Sequence, residues 1–271
     1  MSIRIYSGPH ADRRPGPSAW MARIPWILAG VTILGQIVWI LVPPNGRLVL
    51  TSLTVLTFFA ASVWHAAIYR GALWTIGYVA ISMTVGFIAE AVGVSTAFPF
   101  GTYHYTSSLW PALIGVPILI PMAWTMMAYP VLIVVRSLAT SALWTAVLGG
   151  VLFAGWDLFL DPQMVGEGYW IWSDVKFAIP GSPNIPGQNT LGWFLIAFVL
   201  IWLLDRLPRE AAGVARTSDG APLTLLIWTW LASVFANLAF FHRPLTAILG
   251  GIVMGIVLVP WGWKLWSTPE G

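Results

Sequence analysis

The sequence predicts an all-α protein, a polytopic membrane helix bundle of about eight transmembrane helices with both termini cytoplasmic. Of its 271 residues, 58% are hydrophobic and 8% are charged, whereas a soluble domain carries about 25% charged residues. Eight apolar stretches approach the roughly 20 residues that a spanning helix needs. The chain has no cysteine, which excludes a disulfide framework and a thiolate ligand. The small net charge of +3 does not indicate a nucleic-acid surface.

The predicted spans divide the chain into one domain and two tails. Residues 1–23 are expected to form a mobile cytoplasmic tail, 24–263 a single transmembrane domain and 264–271 a C-terminal tail. Prolines within the fourth span are expected to kink it, with neighbouring groups bonding the freed carbonyls. These are Pro117, Pro121 and Pro130. The eight spans cover approximately 24–42, 48–68, 74–94, 114–135, 142–160, 191–207, 223–241 and 245–263.

The basic residues predict the orientation of these spans in the cell membrane, because loops on the cytoplasmic side carry the excess of Lys and Arg. Ten basic residues fall on the side that would be cytoplasmic: Arg4, Arg13, Arg14, Arg23, Arg70, Arg136, Arg206, Arg209, Arg216 and Lys264. Three fall on the other side: Arg47, Lys176 and Arg243. This distribution places both termini inside. It also brings the ends of the third and fifth spans, and the long loops 95–113 and 162–190, to the outer face.

Three acids stand at the outer ends of those two spans, and they are the predicted catalytic residues. Asp157 and Asp161 are four residues apart and so share one face of a helix, while Glu90 ends the third span. Intramembrane acids are costly and usually functional, and neighbouring buried carboxyls that cannot all ionise suit general acid–base chemistry. The alternative for Glu90 and Asp157 is a structural hydrogen-bonded pair, and for Asp161 a solvated or backbone-bonding helix end.

Loop residues beside these acids are candidates for support and for substrate binding. His104 could relay a proton and Glu167 could assist, although both could equally be plain surface residues. Aromatic rings attract cations and stack on apolar chains, and core packing is their alternative role. The predicted substrate-binding residues are Phe100, Tyr103, Tyr105, Trp124, Trp156, Tyr169 and Trp170. The four histidines, at positions 10, 65, 104 and 242, form no metal-binding pattern, so no metal is expected.

Three motifs of the chain resemble those of a known family. They are GFIAEAVGVSTAFPFGTYHYT at 86–106, GVPILIPMAW at 115–124 with MAYP at 127–130, and WDLFLDPQM at 156–164 with GYW at 168–170. The family is that of the integral-membrane carotenoid hydratases of the CruF type, which includes bisanhydrobacterioruberin hydratases and carotenoid 1,2-hydratases. The resemblance implies addition of water across the terminal isopropylidene double bond of an acyclic C40 or C50 carotenoid, giving a tertiary alcohol. It implies no cofactor, and partners limited to the carotenoid, the bilayer and other carotenoid-pathway membrane enzymes.

The predicted acids suit this implied reaction, which needs an acid, a stabilised tertiary cation and a base that directs water. The residues leave open whether Asp157 or Glu90 is the acid, and whether the remaining carboxylate acts with Asp161 or His104. Two other functions also stay open. The Asp157–Asp161 spacing resembles half of the magnesium site of membrane prenyltransferases, although the chain lacks their second aspartate-rich motif. A carotenoid-binding protein or proton-coupled transporter is the non-enzymatic alternative.

The predicted orientation is testable with a topology reporter. A reporter fused after Gly271 is expected to be active only on the cytoplasmic side, because ten of the thirteen basic residues lie on that side of the predicted topology. The measurement is reporter activity in intact cells, against a fusion in the predicted outer loop at 95–113. Activity of the C-terminal fusion on the outer side would contradict the predicted orientation.

Overall fold

The structure, a computed structural model, describes residues 16–209 and 219–267. Eight helices in these ranges are long and apolar enough to cross a membrane, which confirms the predicted multi-pass helix bundle. They are α1 (Ala19–Leu41), α2 (Pro44–Arg70), α3 (Ala72–Thr96), α4 (Leu119–Leu138), α5 (Ala142–Gly166), α6 (Gly187–Leu204), α7 (Gly220–Ala239) and α8 (Pro244–Ser267). Residues 1–15 of the predicted tail, which include Arg4, His10, Arg13 and Arg14, lie outside the described residues, as do Arg216 and residues 268–271.

Three helix boundaries near the predicted acids differ from the sequence expectation. α4 begins at Leu119, not near residue 114, because Ile114 and Gly115 take positive φ angles of 50° and 76° and turn the chain into a hairpin. α5 continues through Pro162 to Gly166, so Asp161 lies on the helix and not at its end. α6 begins at Gly187, earlier than the predicted residue 191.

Short strands fold the two long loops into three two-stranded antiparallel sheets. The strands are β1 (Thr102–Tyr105), β2 (Ala112–Leu113), β3 (Val116–Pro117), β4 (Trp170–Ser173), β5 (Ala178–Ile179) and β6 (Ser182–Pro186). β1 pairs with β4, β2 with β3 and β5 with β6. The β1–β4 pair joins the loop after α3 to the loop after α5, so it connects the two helices that carry the predicted acids.

α4 and α5 form the centre of the bundle. Their apolar windows are 72% and 67% buried, against 28–39% in the other six helices. Two closely packed helices need small residues where backbones approach. On α5, a Cβ atom at Gly150 would lie 2.9 Å from the Phe194 carbonyl oxygen of α6, and one at Gly155 would lie 2.9 Å from the Met254 amide nitrogen of α8. These glycines allow α6 and α8 to pack against α5.

Ion pairs tie the helices together at both ends of the bundle. At the end where α4 and α6 terminate, Arg136 Nε lies 2.8 Å from Asp205 Oδ1, and its guanidinium also donates to the Leu204 and Leu207 carbonyls. At the opposite end, Arg47 lies 2.7 Å from Glu167. Each pair joins two chain segments that are distant in sequence, so both ends of the bundle are fixed.

The close approach at Gly150 predicts a stability difference between two glycine substitutions. Gly150→Ala is expected to destabilise the protein by about 1–3 kcal/mol, the usual cost of overpacking, because a backbone oxygen cannot rotate away from the new methyl group. Gly30→Ala on α1 is the matched control, since no atom lies within 4 Å of its added Cβ. Thermal unfolding in detergent, followed by circular dichroism, gives the two midpoints. Equal midpoints would show that α5 and α6 are not in close contact there.

Candidate active site

The first acid, Glu90, lies on α3 and is only 4% exposed. Gly86 and Gly93 lie about one helical turn before and after it, on the same face. A Cβ atom at Gly86 would lie 3.0 Å from Trp124, and one at Gly93 would lie 2.7 Å from the Tyr103 hydroxyl. The missing side chains at both positions therefore let these two rings reach the Glu90 carboxyl group.

Three donors hold the Glu90 carboxyl group. The Tyr103 and Tyr105 hydroxyls donate to its Oε2 at 2.6 and 2.7 Å, and Trp124 Nε1 donates to its Oε1 at 3.1 Å. Burial raises the pKa of Tyr103 and of Tyr105, and the adjacent Glu90 carboxylate raises both further. Both phenols therefore stay protonated, and remain donors, across the physiological pH range.

The second acidic group consists of Asp157 and Asp161, one turn apart on α5. The Asn189 amide of α6 bridges them, with Nδ2 3.0 Å from Asp157 Oδ2 and 2.8 Å from Asp161 Oδ2. Asp161 Oδ1 also accepts a hydrogen bond from Trp170 Nε1, and Trp172 Nε1 lies 3.1 Å from both of its oxygens. Asp157 is 0% exposed, and among the described residues Asn189 is its hydrogen-bond donor.

The β1–β4 sheet supplies four of these donors at once. Tyr103 pairs with Trp172, and Tyr105 pairs with Trp170. Alternate residues of a strand point to the same face, so these four side chains lie on one side of the sheet, with rings 4.8 Å apart in the first pair and 5.7 Å apart in the second. The tyrosines reach Glu90 and the tryptophans reach Asp161, so one small sheet positions both acids.

Glu90 and Asp161 line the same small cavity, which has a volume of about 30 Å³. This volume is enough for a water molecule, which needs at least about 10–15 Å³ and two to four polar partners. Glu90, Asp161 and Asn189 supply the polar lining. Aromatic and aliphatic side chains complete it: Phe100, Tyr103, Tyr105, Ile120, Ala123, Trp124, Leu160, Trp170, Trp172 and Trp193. Asp157 does not line this cavity, but it accepts a hydrogen bond from the Asn189 amide, which does.

An aromatic stack covers one side of the cavity. The rings of Trp124 and Trp193 lie 4.1 Å apart at an interplanar angle of 11°, and the nearly parallel ring of Phe153 lies 5.3 Å from Trp124 and 6.5 Å from Trp193. Offset or parallel aromatic stacks present electron-rich faces to their surroundings. Trp124 and Trp193 both line the cavity, and aromatic rings attract a cation that lies over their faces.

The structure brings most, but not all, of the predicted residues to this cavity. Phe100, Tyr103, Tyr105, Trp124 and Trp170 line it with Glu90 and Asp161. His104 does not reach the acids, because it alternates with Tyr103 and Tyr105 on β1 and is exposed. Glu167 forms the ion pair with Arg47, and the Tyr169 hydroxyl lies 3.4 Å from Thr51 Oγ1. Trp156 packs edge-to-face on Trp193 at 5.7 Å, behind the cavity wall.

Six cavity-lining residues were not predicted, and the three of them with indole or amide groups carried some signal in the sequence. Trp172 lies two residues after Trp170, the spacing of side chains on one face of a strand. Asn189 is a side-chain amide in the first turn of an apolar span, where an unpaired polar group is costly. Trp193 follows it by four residues and so shares its helix face. Among the described residues, no group of three or more His, Cys, Asp and Glu side chains is arranged to hold a metal ion.

Comparison with known proteins identifies the family of this chain. Residues 49–258 match the family described as "Carotenoid biosynthesis protein". The chain is also 30% identical, over 175 residues, to the bisanhydrobacterioruberin hydratase of Haloarcula japonica. That alignment covers 59% of this chain and 56% of the relative, so the chain spans just over half of the relative's length. No solved structure matches the chain. Because the family match covers more than half of the sequence and all three acids, the chain belongs to the carotenoid biosynthesis protein family.

Proposed function

We propose that this protein is a carotenoid hydratase, which adds water across the terminal isopropylidene double bond of an acyclic C40 or C50 carotenoid and leaves a tertiary alcohol. The observation that carries this proposal is a water-sized aromatic cavity lined by two separately held acids, Glu90 and Asp161. The hydratase named among its relatives and the family match support the same reaction class.

The two acidic groups differ in ways that suit different roles. Glu90 accepts hydrogen bonds from three protonated donors, an arrangement that favours a proton-accepting carboxylate. Asp161 also accepts from three donors, Trp170, Trp172 and Asn189, but unlike Glu90 it shares one of them with a second carboxyl group, that of Asp157. Two carboxyls this close do not both ionise readily, so one proton can remain between them. We therefore assign the acid role to the Asp157–Asp161 pair, acting through Asp161, and the base role to Glu90.

In the proposed reaction, the proton of the aspartate pair is transferred to the terminal CH carbon of the double bond. The π electrons form the new C–H bond and leave a tertiary carbocation. The cavity water then attacks the cation to form the C–O bond, and Glu90 accepts the proton that this water releases. Return of that proton from Glu90 to the aspartate pair, through a replacement water, restores the starting state. The net change is the addition of one water molecule to the double bond, with no redox change.

The aromatic walls would stabilise the carbocation between these two proton transfers. Ring faces attract a cation by about 0.5–2 kcal/mol each, most strongly when water is excluded. The Trp124–Trp193 stack and the two indoles of β4 supply such rings. In this low-dielectric site the negative charge of an acid also stabilises a nearby cation more than it would in water.

Oxygen labelling tests the hydratase proposal directly. Product formed in water enriched in oxygen-18 is expected to carry the label in its new hydroxyl group, with unchanged yield when oxygen gas is removed. Mass spectrometry of the product measures the incorporation. A hydroxyl oxygen that originates from oxygen gas would identify a hydroxylase and exclude hydration.

Substitution of the acids tests the proposed roles. Glu90→Gln and Asp161→Asn keep the size of each side chain but remove its proton-handling group, so each is expected to lower turnover by about a hundredfold or more. The double variant is expected to lose little beyond either single one, because groups that act as a unit are not additive. Asp157→Asn is expected to have a smaller effect, since Asp157 acts through Asn189. The sequence alone favoured Asp157 over Asp161; the cavity lining favours the reverse order.

Glu167→Gln is the matched control for these variants. It makes the same chemical change outside the cavity, at the ion pair with Arg47, and is expected to leave turnover per folded enzyme close to that of the unsubstituted protein, because this carboxyl group does not line the cavity. Product formed per folded enzyme is measured in liposomes with an acyclic carotenoid, with folding checked by gel filtration. Near-normal turnover in Asp161→Asn or Glu90→Gln would remove that residue from the mechanism.

A further inference from the structure

A second and larger cavity, called here the chamber, lies beside the active-site cavity. It has a volume of about 370 Å³ and is bounded by α1, α2, α4, α5 and α7. Ligand-binding pockets commonly have volumes of about 300–1,000 Å³ and mostly apolar walls with few polar groups. The chamber meets both criteria, and the reaction steps proposed above do not use it.

Several of the polar groups at the chamber wall are already bonded within the protein. Gln36 Oε1 accepts from Trp228 Nε1 at 2.7 Å, which links α1 to α7. Thr51 accepts from Trp39 at 2.9 Å, and the Thr229 hydroxyl donates to a backbone carbonyl of its own helix. Asn237 also lines the chamber, and its Oδ1 is buried with no hydrogen-bond partner among the described residues. With few polar groups open to a ligand, the chamber suits a long, mostly apolar molecule.

The chamber opens toward the hydrocarbon of the bilayer between α1 and α7. Leu41 of α1 and Phe235 of α7 line it and are 77% and 61% exposed. On a membrane-spanning helix, exposed apolar side chains of this kind contact lipid. A ligand that is dissolved in the bilayer can therefore enter the chamber without crossing water.

Only a thin wall separates the chamber from the active-site cavity. Ala123 of α4 and Leu160 of α5 line both spaces. Beside them, Trp156 lines the chamber and meets Trp193, which lines the active-site cavity, at 5.7 Å. Leu160 directly precedes Asp161, so movement of one leucine side chain would open a path from the chamber to the acid.

We propose that the chamber binds the polyene chain of the substrate, taken from the bilayer between α1 and α7, and that Leu160 is the gate through which the chain end reaches Asp161. The identity of the ligand rests on the proposed hydratase function. The gate follows from volume: a cavity of about 30 Å³ accommodates a water molecule but not a branched isoprenoid end. Leucine χ angles have alternative staggered positions, so the gate can open by a rotamer change.

Filling the chamber tests where the chain binds. Ala232→Trp, with Ala236→Phe as a second variant, places a large ring at a chamber-lining position of α7 and is expected to weaken polyene binding at least tenfold. Ile252→Trp is the matched control, since Ile252 is 59% exposed on α8 and lies away from the chamber. Binding is measured by quenching of tryptophan fluorescence with an acyclic C40 polyene. The background carries Asp161→Asn, so that turnover is strongly reduced during the measurement.

Changing the wall tests the gate. Ala123→Leu thickens the wall and is expected to leave polyene affinity within about threefold but to lower turnover at least tenfold. Leu160→Ala in the same chain returns the lost space and is expected to restore most of that turnover. Because removing atoms from Leu160 would also relieve overpacking at Ala123, turnover is expressed per folded enzyme, and thermal unfolding midpoints of both variants are compared. A loss of turnover in folded Ala123→Leu protein then reports on the gate.

The outcomes separate this inference from the hydratase proposal. Undiminished polyene binding in both chamber-filling variants would exclude the chamber as the binding site. Undiminished turnover in Ala123→Leu, or failure of Leu160→Ala to restore it, would exclude the gate. The binding experiment measures polyene binding and not product, in a variant with strongly reduced turnover, so its result does not depend on whether the product oxygen comes from water.

Discussion

The burial of carboxyl groups in an apolar bundle is the constraint on which the rest of the site depends. A buried charge or polar group is costly unless hydrogen bonds compensate it. Glu90 and Asp161 each receive three such donors, and four of these six come from the β1–β4 sheet. The loops after α3 and α5 therefore act as part of the core: without their pairing, both acids would lose most of their partners.

The same constraint explains the packing around the sheet. The donors reach Glu90 only because Gly86 and Gly93 leave space on α3. The donors of Asp161 reach it because α5 continues through Pro162. The continued helix keeps the Asp161 side chain on the helix face that Asn189 approaches. α4 and α5, the most buried helices, carry the ring of Trp124 and both aspartates. The centre of the bundle is thus also the frame of the candidate site.

The sequence was sufficient to predict the eight spans and the acids, because both follow from the local cost of placing polar groups in hydrocarbon. It also indicated Tyr103, Tyr105 and Trp170, which stand near the acids in the chain. It did not predict Asn189 or Trp193, because their role depends on the packing of α6 against α5, and the local signals at these two positions do not specify that packing. The same limit applies to His104: its exposure follows from the alternation of β1, a strand that forms only by pairing with a distant loop.

The size difference between the two cavities has a chemical reason in the proposed reaction. A tertiary carbocation can be attacked by water or can lose a proton to a nearby base, and the second route returns the alkene. Glu90 is such a base, so hydration requires that a water molecule already occupies the space between the carboxylate and the cation. A small cavity with Glu90, Asp161 and Asn189 on its wall provides the polar contacts that hold one water. The apolar chain, which needs no such contacts, is better bound in a separate chamber. In this arrangement the water stays beside the acids, and the polyene stays in the chamber until Leu160 moves. This separation would therefore favour addition of water over loss of the proton.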